Sequence, residues 1–339
     1  MPSTGHDGAV VGVVAGVLID AAGRVLIARR RAGTEQGGKW EFPGGKRRLG
    51  ESAFEALARE LSEELGIAVD SAQPLLSVRH VYPRMTVDLE VWRVKRYYGT
   101  AYGREGQPVR WVAMADLGAF EFPEADRPVL RLLQLPPLYL VSDSSRFGME
   151  GFLRCLERIL AAGARLIQLR EPQLSEQQFR SLAKQVVRLC HRHGAQVLLN
   201  APAEFVVECG ADGVHLNSRR LEQCATRPLD RNYWVAVSCH DTAQIERARQ
   251  IGADFIVLSP VLPTRTHPHA MTLGWDRFAA LCAVAGLPVY ALGGMGVESL
   301  GSARQAGAQG IAILSGVWDA AEPESVVASL VGARGEGNT

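Results

Sequence analysis

The chain has 339 residues, more than one domain of roughly 150 residues usually holds, so two hydrophobic cores are expected. A composition of 47% hydrophobic and 22% charged residues excludes a disordered or fibrous chain. A net charge of +1 without a Lys/Arg-rich run argues against duplex nucleic acid as a partner, because such binding draws on counterion release at many basic contacts.

In chain order, the first apolar run, Ala9 to Ile19, is broken by Gly12 and Gly16 and follows His6-Asp7 rather than a basic segment. It reads as a strand, not a signal peptide or membrane span, which points to a cytoplasmic protein with no membrane partner. Strand-like runs at Val10 to Leu18 and Val25 to Arg29 precede a helix from Ser52 to Leu65. Runs at Leu75 to Tyr82, Val87 to Val94 and Val109 to Val112 follow it. This order predicts one mixed sheet with a central helix. A further helix is expected from Ala125 to Leu133, stopped by Leu135-Pro136-Pro137, since proline cannot continue a helix and restricts the residue before it.

From Leu138 onward short apolar strands alternate with amphipathic helices. The strands are Leu138 to Val141, Leu166 to Leu169, Val197 to Leu199, Gly213 to Leu216, Trp234 to Ser238, Phe255 to Leu258, Val289 to Leu292 and Gly310 to Leu314. Eight βα units in about 200 residues predict a (β/α)8 TIM barrel. Gly163-Ala164, Gly210-Ala211, Gly252-Ala253 and Gly307-Ala308 mark helix ends where glycine takes the left-handed conformation. All six cysteines lie in this half with no C-x-x-C pair, so reduced and mostly buried thiols are expected. The expected domains are residues 1–134 and 138–332.

The first half carries one dense set of chemical residues. Ser52 and Glu55 form a capping-box pair, and Phe54, Leu57, Leu61 and Leu65 fall on one stripe that would pack on the sheet. Glu60, Glu63 and Glu64 stand at i, i+3 and i+4, so their carboxylates should converge on a neighbouring face. Such carboxylates repel one another unless a hard divalent cation, Mg²⁺ or Mn²⁺, shares them and bridges to substrate phosphates.

Gly45, Glu51, Arg59, Glu60, Leu61, Glu63, Glu64, Gly66 and Ile67 reproduce the Nudix pattern G-x5-E-x7-R-E-U-x-E-E-x-G-U, where U is a bulky aliphatic residue. Lys39-Trp40-Glu41-Phe42-Pro43-Gly44-Gly45-Lys46, Arg104-Glu105-Gly106-Gln107 and Phe122-Pro123-Glu124-Ala125-Asp126-Arg127-Pro128-Val129 resemble segments of the MutT-type Nudix hydrolases, which cut 8-oxo-dGTP to the monophosphate and pyrophosphate. The resemblance implies an α/β/α sandwich and a nucleoside triphosphate substrate. It places the metals on Glu60, Glu63, Glu64, Glu105 and the Gly44 carbonyl, with Glu105 or Glu60 as base. Arg59 would orient the glutamates, and Glu51 would stand farther off. Arg30, Phe42, Lys46 and Asp126 would bind substrate. Asp126 replaces the family's purine-reading asparagine: protonated, it both donates and accepts as the amide does, while ionised it favours a face rich in N–H donors such as guanine N1 and N2. It could instead cap the helix running to Leu133.

Leu138-Tyr139-Leu140-Val141-Ser142-Asp143, Gln168-Leu169-Arg170-Glu171, Gly213-Val214-His215-Leu216, Ser259-Pro260-Val261-Leu262-Pro263-Thr264 and Ala291-Leu292-Gly293-Gly294-Met295 resemble the thiamine phosphate synthase and TenI superfamily. Synthases of this family hold Mg²⁺ on an aspartate in each of two segments. Here these read Leu199-Asn200-Ala201-Pro202 and Leu216-Asn217-Ser218-Arg219-Arg220, and two family lysines are Pro172 and His267. A pyrophosphate-releasing synthase is therefore not expected. Gly293, Gly294, Ser315 and Gly316 would form a phosphate cup with Gln168 and Arg170 nearby. His240 matches the acid/base histidine of TenI-type thiazole tautomerases, or is a structural strand-end residue. His267 and His269 resemble a metal pair only superficially.

These readings combine into a metal-dependent nucleotide-sanitising diphosphatase, homo-oligomeric or not. It would be joined to a barrel that is a thiazole tautomerase or a module for thiazole phosphate or another phosphorylated small molecule. The alternative is a Nudix diphosphatase for thiamine-pathway pyrophosphates with a noncatalytic barrel.

Overall fold

The computed structural model describes residues 10–31, 33, 36–83, 85–264 and 271–332. It has two compact units, one up to Gln134 and one from Leu135.

The first unit contains β1 (Val10–Val17), β2 (Arg24–Arg29), β3 (Trp40–Glu41), β4 (Gly44–Lys46), α1 (Ala53–Leu65), β5 (Ala68–Val81), β6 (Thr86–Tyr98), β7 (Val109–Ala113) and α2 (Arg127–Gln134). The expected single sheet is two: β4-β1-β6-β5, with β1 parallel to β6, and antiparallel β3-β2-β7. Strand periodicity distributes β1 between two cores. Val14 and Leu18 join Leu57, Leu61 and Leu65 of α1, while Ala15 and Val17 join Phe42, Leu89 and the α2 residues Val129 and Leu132. The result is an α/β/α sandwich, as expected.

α1 starts at the Ser52 capping box and ends at Gly66, which is left-handed at φ 68°. Leu57, Leu61 and Leu65 are fully buried, worth about 2 kcal/mol each in removed apolar surface. Phe54 departs from the predicted stripe. It is half-buried with its ring edge toward Trp92, and Ala56 takes the buried place. The short strands β3 and β4 were not foreseen; β5 begins at Ala68, well before the expected Leu75, and β6 runs on to Tyr98, past the expected Val94. Pro74 lies within β5 where the register shifts. The strand tolerates it because it is the sheet edge, where a missing N–H breaks no central ladder.

The second unit is a closed parallel barrel in the order β10-β11-β12-β13-β14-β15-β8-β9. Its strands are β8 (Leu138–Val141), β9 (Leu166–Leu169), β10 (Gln196–Leu199), β11 (Gly213–Leu216), β12 (Trp234–Cys239), β13 (Phe255–Leu258), β14 (Val289–Ala291) and β15 (Gly310–Ile313). The helices are α3 (Gly148–Ala161), α4 (Glu176–Arg192), α5 (Glu204–Cys209), α6 (Ser218–Gln223), α7 (Thr242–Gln250), α8 (Gly274–Ala285), α9 (Ser299–Gln305), α10 (Ser315–Trp318) and α11 (Pro323–Gly332). Alternate strand residues fill the inside (Tyr139, Leu166, Leu198, Trp234, Phe255, Tyr290) or pack outward against helices (Leu138, Ile167, Val197, Ile256). All six cysteines are free, and four are buried. No helix among the described residues is long and apolar enough to cross a membrane.

Candidate functional site

In the first unit a cavity of about 490 Å³ is lined by Arg30, Glu41, Phe42, Gly44, Gly45, Lys46, Glu60, Glu64, Tyr82, Glu105 and Asp126, among others. Its acidic end is built by close approach of β4 to α1. A Cβ on Gly45 would fall 2.3 Å from the Glu60 carboxyl carbon, and one on Gly44 would fall 2.1 Å from the Val14 carbonyl oxygen. Only glycine lets the backbone lie this near the carboxylates. The Gly44 N–H donates to Glu64 Oε2 at 3.1 Å. The loop carrying Glu105 is docked on the end of α1: Arg104 N and Gln107 Nε2 both donate to the Glu64 carbonyl, and Arg104 Nη1 donates to that of Ser62. Those bonds satisfy carbonyls a helix C-terminus leaves open.

Arg59 lies behind the acids. It donates to both oxygens of Glu51 at 2.8 and 2.9 Å, to Glu60 at 2.7 Å and to the Lys46 carbonyl at 3.0 Å. These bonds hold the Glu51 carboxyl down to about 2. Glu64 is pushed up to about 8, first by burial and then by repulsion from Glu41, Glu60 and Glu105. A buried carboxylate such as that of Glu64, whose charge its acidic neighbours oppose, is an oxygen donor suited to a hard cation.

The three glutamates of α1 do not converge as expected. Glu63 is half exposed, turns toward Arg48 and Arg59 at 3.4 Å, and does not line the cavity. Among the described residues no three acids form a ready metal-ligand group. Two arginines compete for the Glu63 carboxylate, which spacing along a helix does not reveal.

At the opposite end Phe42 is buried and stacks at a tilt on Phe122. Arg30 pairs with Glu41, and the Tyr82 hydroxyl accepts from the Ala125 N–H at 3.4 Å. Asp126 is 7% exposed and ends a 3₁₀ turn before α2. Its carboxyl caps no helix and has no hydrogen-bond partner among the described residues. Burial first, then Glu41, pushes it up to about 8 against the pull of Arg30, so it is mostly neutral at pH 7. Glu41 and Tyr82 were missed as site residues. Glu41 lay within the quoted segment, and nothing local marked Tyr82.

In the second unit a cavity of about 430 Å³ opens at the C-terminal ends of the barrel strands. Gln168, Arg170, His240, Gly293, Gly294 and Ser315 line it, with Asn200, Asn217, Ser218 and Ser238. Gly316 does not line it; a Cβ there would press within 2.6 Å of the Met295 carbonyl oxygen. His240 Nδ1 donates to the Ser259 carbonyl at 2.6 Å, which leaves Nε2 as the acceptor of the neutral ring. Beneath the cavity lies a network not foreseen: Gln168 Nε2 to Tyr139 Oη at 3.3 Å, Tyr139 Oη to His215 Nδ1 at 3.0 Å and His215 Nε2 to Ser238 Oγ at 2.8 Å. Burial lowers His215 to about 3 and keeps it neutral. Glu171 is buried and accepts from Ser142, Ser144 and Gln173. His267 and His269 lie outside the described residues.

The metal of the synthase family does not fit this cavity. Ala201 is buried and apolar, Arg220 donates to Asn200 Oδ1 at 3.0 Å, and among the described residues no carboxylate lines the cavity.

A family model described as "NUDIX domain" matches residues 14–132, and one described as "Thiamine monophosphate synthase" matches residues 138–317. The thiamine-phosphate synthase of Laribacter hongkongensis is 32% identical over 201 residues, 58% of this chain and 95% of its own. A solved thiamine phosphate pyrophosphorylase from Pyrococcus furiosus aligns at TM-score 0.51 with 22% identity, covering 57% of this chain and 92% of its own. A solved MutT described for Aliivibrio salmonicida and Vibrio cholerae is 36% identical, covering 37% of this chain and 96% of its own at TM-score 0.33. The matched barrel takes up more than half of the residues, and the chain belongs to the thiamine monophosphate synthase and TenI family, with a Nudix hydrolase domain preceding the barrel.

Proposed function

We propose that the Nudix domain hydrolyses a purine nucleoside triphosphate, 8-oxo-dGTP foremost, to the monophosphate and pyrophosphate. The observation that supports this reading is one cavity with an acidic end (Glu60, Glu64, Glu105) and a base-sized end where Phe42, Arg30 and the neutral Asp126 meet. Glu60, Glu64, Glu105 and the Gly44 carbonyl would hold Mg²⁺ or Mn²⁺, and Glu63 would join only by leaving Arg48 and Arg59. When bound, the cation neutralises phosphate charge and acidifies a water. Glu105 or Glu60 takes the proton of a water attacking the β-phosphorus. The bridging α–β P–O bond breaks, and its electrons leave with the nucleoside monophosphate. Arg59 keeps Glu60 in place, and Lys46 faces the phosphate chain.

The barrel takes a phosphorylated small molecule, such as thiazole phosphate, at Gly293, Gly294 and Ser315. His240 Nε2 is positioned to move a proton in a tautomerisation. Loss of tautomerisation in His240→Ala with binding retained supports catalysis; an unchanged rate makes the barrel a binding module.

Family membership favours a second reading, in which the Nudix domain acts on thiamine-pathway diphosphates. Steady-state hydrolysis of a panel with Mg²⁺ separates the two. The highest kcat/KM on 8-oxo-dGTP supports the first reading; the highest on pyrimidine or thiamine pyrophosphates replaces it. Activity indifferent to a chelator ends the metal assignment.

A further inference from the structure

One arginine of the Nudix cavity grips an acid that the proposed reaction needs. Arg31 ends the run Arg29-Arg30-Arg31. Its Nη2 donates to the backbone carbonyl of Glu105 at 2.7 Å and pairs with the Glu105 carboxylate at 3.0 Å. Both residues line the cavity, and both also line an adjoining groove of about 390 Å³ with Arg29 and Arg30.

The Glu105 backbone is held in place from both sides. Arg104 N and Gln107 Nε2 donate to the Glu64 carbonyl, and the Glu105 N–H donates to Gln107 Oε1 at 3.0 Å. The carboxylate is the part that can move, and the cation it faces decides where it rests. A guanidinium and a divalent cation compete for the same two oxygens, because a carboxylate already paired has less charge to give a metal. The grip is weak enough for a substrate to break. The Arg31 and Glu105 side chains are 56% and 43% exposed, and an exposed pair shifts an equilibrium by no more than about fivefold. A triphosphate chain offers a guanidinium more charge than one carboxylate does, in the same fork geometry.

We propose that Arg31 is a latch on Glu105: it keeps that carboxylate from the metal until a nucleoside triphosphate enters, then exchanges it for substrate phosphate. Glu105 is thus released to the cation as the phosphates arrive, and metal and nucleotide each favour the binding of the other. The latch rests on the metal set and the triphosphate substrate proposed above.

The test follows Mn²⁺ binding rather than turnover, in the full chain, by electron paramagnetic resonance of the free ion. The Nudix site is the binding that disappears in Glu60→Gln. Without nucleotide, Arg31→Gln should bind Mn²⁺ about two- to fivefold tighter than the parent. Arg29 lines the same cavity, but its side chain bonds the Gly38 carbonyl. Arg29→Gln therefore removes an equal charge without touching the latch, and should stay within about 1.5-fold of the parent. With saturating 8-oxo-dGTP whose α–β bridging oxygen is replaced by methylene, parent and Arg31→Gln should bind Mn²⁺ alike, since the phosphates have already drawn Arg31 away. Affinity that is unchanged or weaker in Arg31→Gln, equal tightening in Arg29→Gln, or a difference that persists with the analogue overturns the latch and leaves the metal site standing. If Mn²⁺ binds neither protein, the metal reading fails and the latch with it; if the analogue binds neither, the nucleotide reading and the exchange fail together.

Discussion

Replacing Asp126 by Asn tests whether burial sets the ionisation of this residue, and the structure supplies the size of the effect. An Asp carboxyl moved from 3.8 to about 8 binds its proton more tightly in the folded than in the unfolded chain. Between those values the native state holds more protons, so stability falls as pH rises, and the penalty is complete above about pH 8. At about 1.4 kcal/mol for each pH unit, the cost at pH 7 is at most about 4 kcal/mol. The attraction of Arg30 is already included, while relaxation of the pocket reduces the cost further. Asn matches the neutral acid in shape and carries no such cost. Asp126→Asn should therefore equal the parent near pH 4 and exceed it by about 1–4 kcal/mol at pH 8. Urea unfolding across pH 4–8.5, resolved for the first unit by amide exchange in β1 and α1, measures this. Parallel stability curves for the two proteins would refute the argument. Activity should follow: the neutral acid donates and accepts like the amide, so kcat/KM for a purine substrate should decline above about pH 8 in the parent and not in the variant.

Glu60→Gln preserves shape but removes a charged oxygen donor, and kcat with Mg²⁺ should drop at least about 10²-fold; near-normal turnover would remove Glu60 from the metal set. Gly45→Ala puts a methyl group 2.3 Å from the Glu60 carboxyl. It pushes aside only the flexible end of Glu60, so stability should change by less than about 1 kcal/mol while turnover falls at least about tenfold, and a fully active variant would contradict the close approach of β4. Leu61→Ala empties a fully buried site under β1 and should destabilise the first unit by about 2–5 kcal/mol by thermal or urea unfolding.

The Nudix helix was legible because its signals are local: a capping box, an aliphatic stripe and a terminal glycine all lie within one run. β3 and β4 were not, since two or three residues are too few to display a period of two. Phe54 and Glu63 were misplaced for one reason. Helical spacing gives the face a side chain starts from, while Trp92 and Arg48, distant in sequence, decide where it ends. In the barrel, strand order followed from the repeat. The buried His215 did not, although its alternation with outward Val214 and Leu216 marks it as inward-facing. Arg220 was noted only as a lost aspartate; its bond to Asn200 appears only once β10 and β11 are side by side.

The long hairpin of β5 and β6 leaves β5 at the rim of its sheet, where a row of free backbone groups could recruit a strand from another molecule. Pro74 removes one donor from that row, the register slips on both sides of it, and charged side chains such as Asp70 and Arg79 stud its length. Those irregularities make the rim a poor template for intermolecular pairing, and so guard a chain with a fourteen-residue edge strand against aggregation.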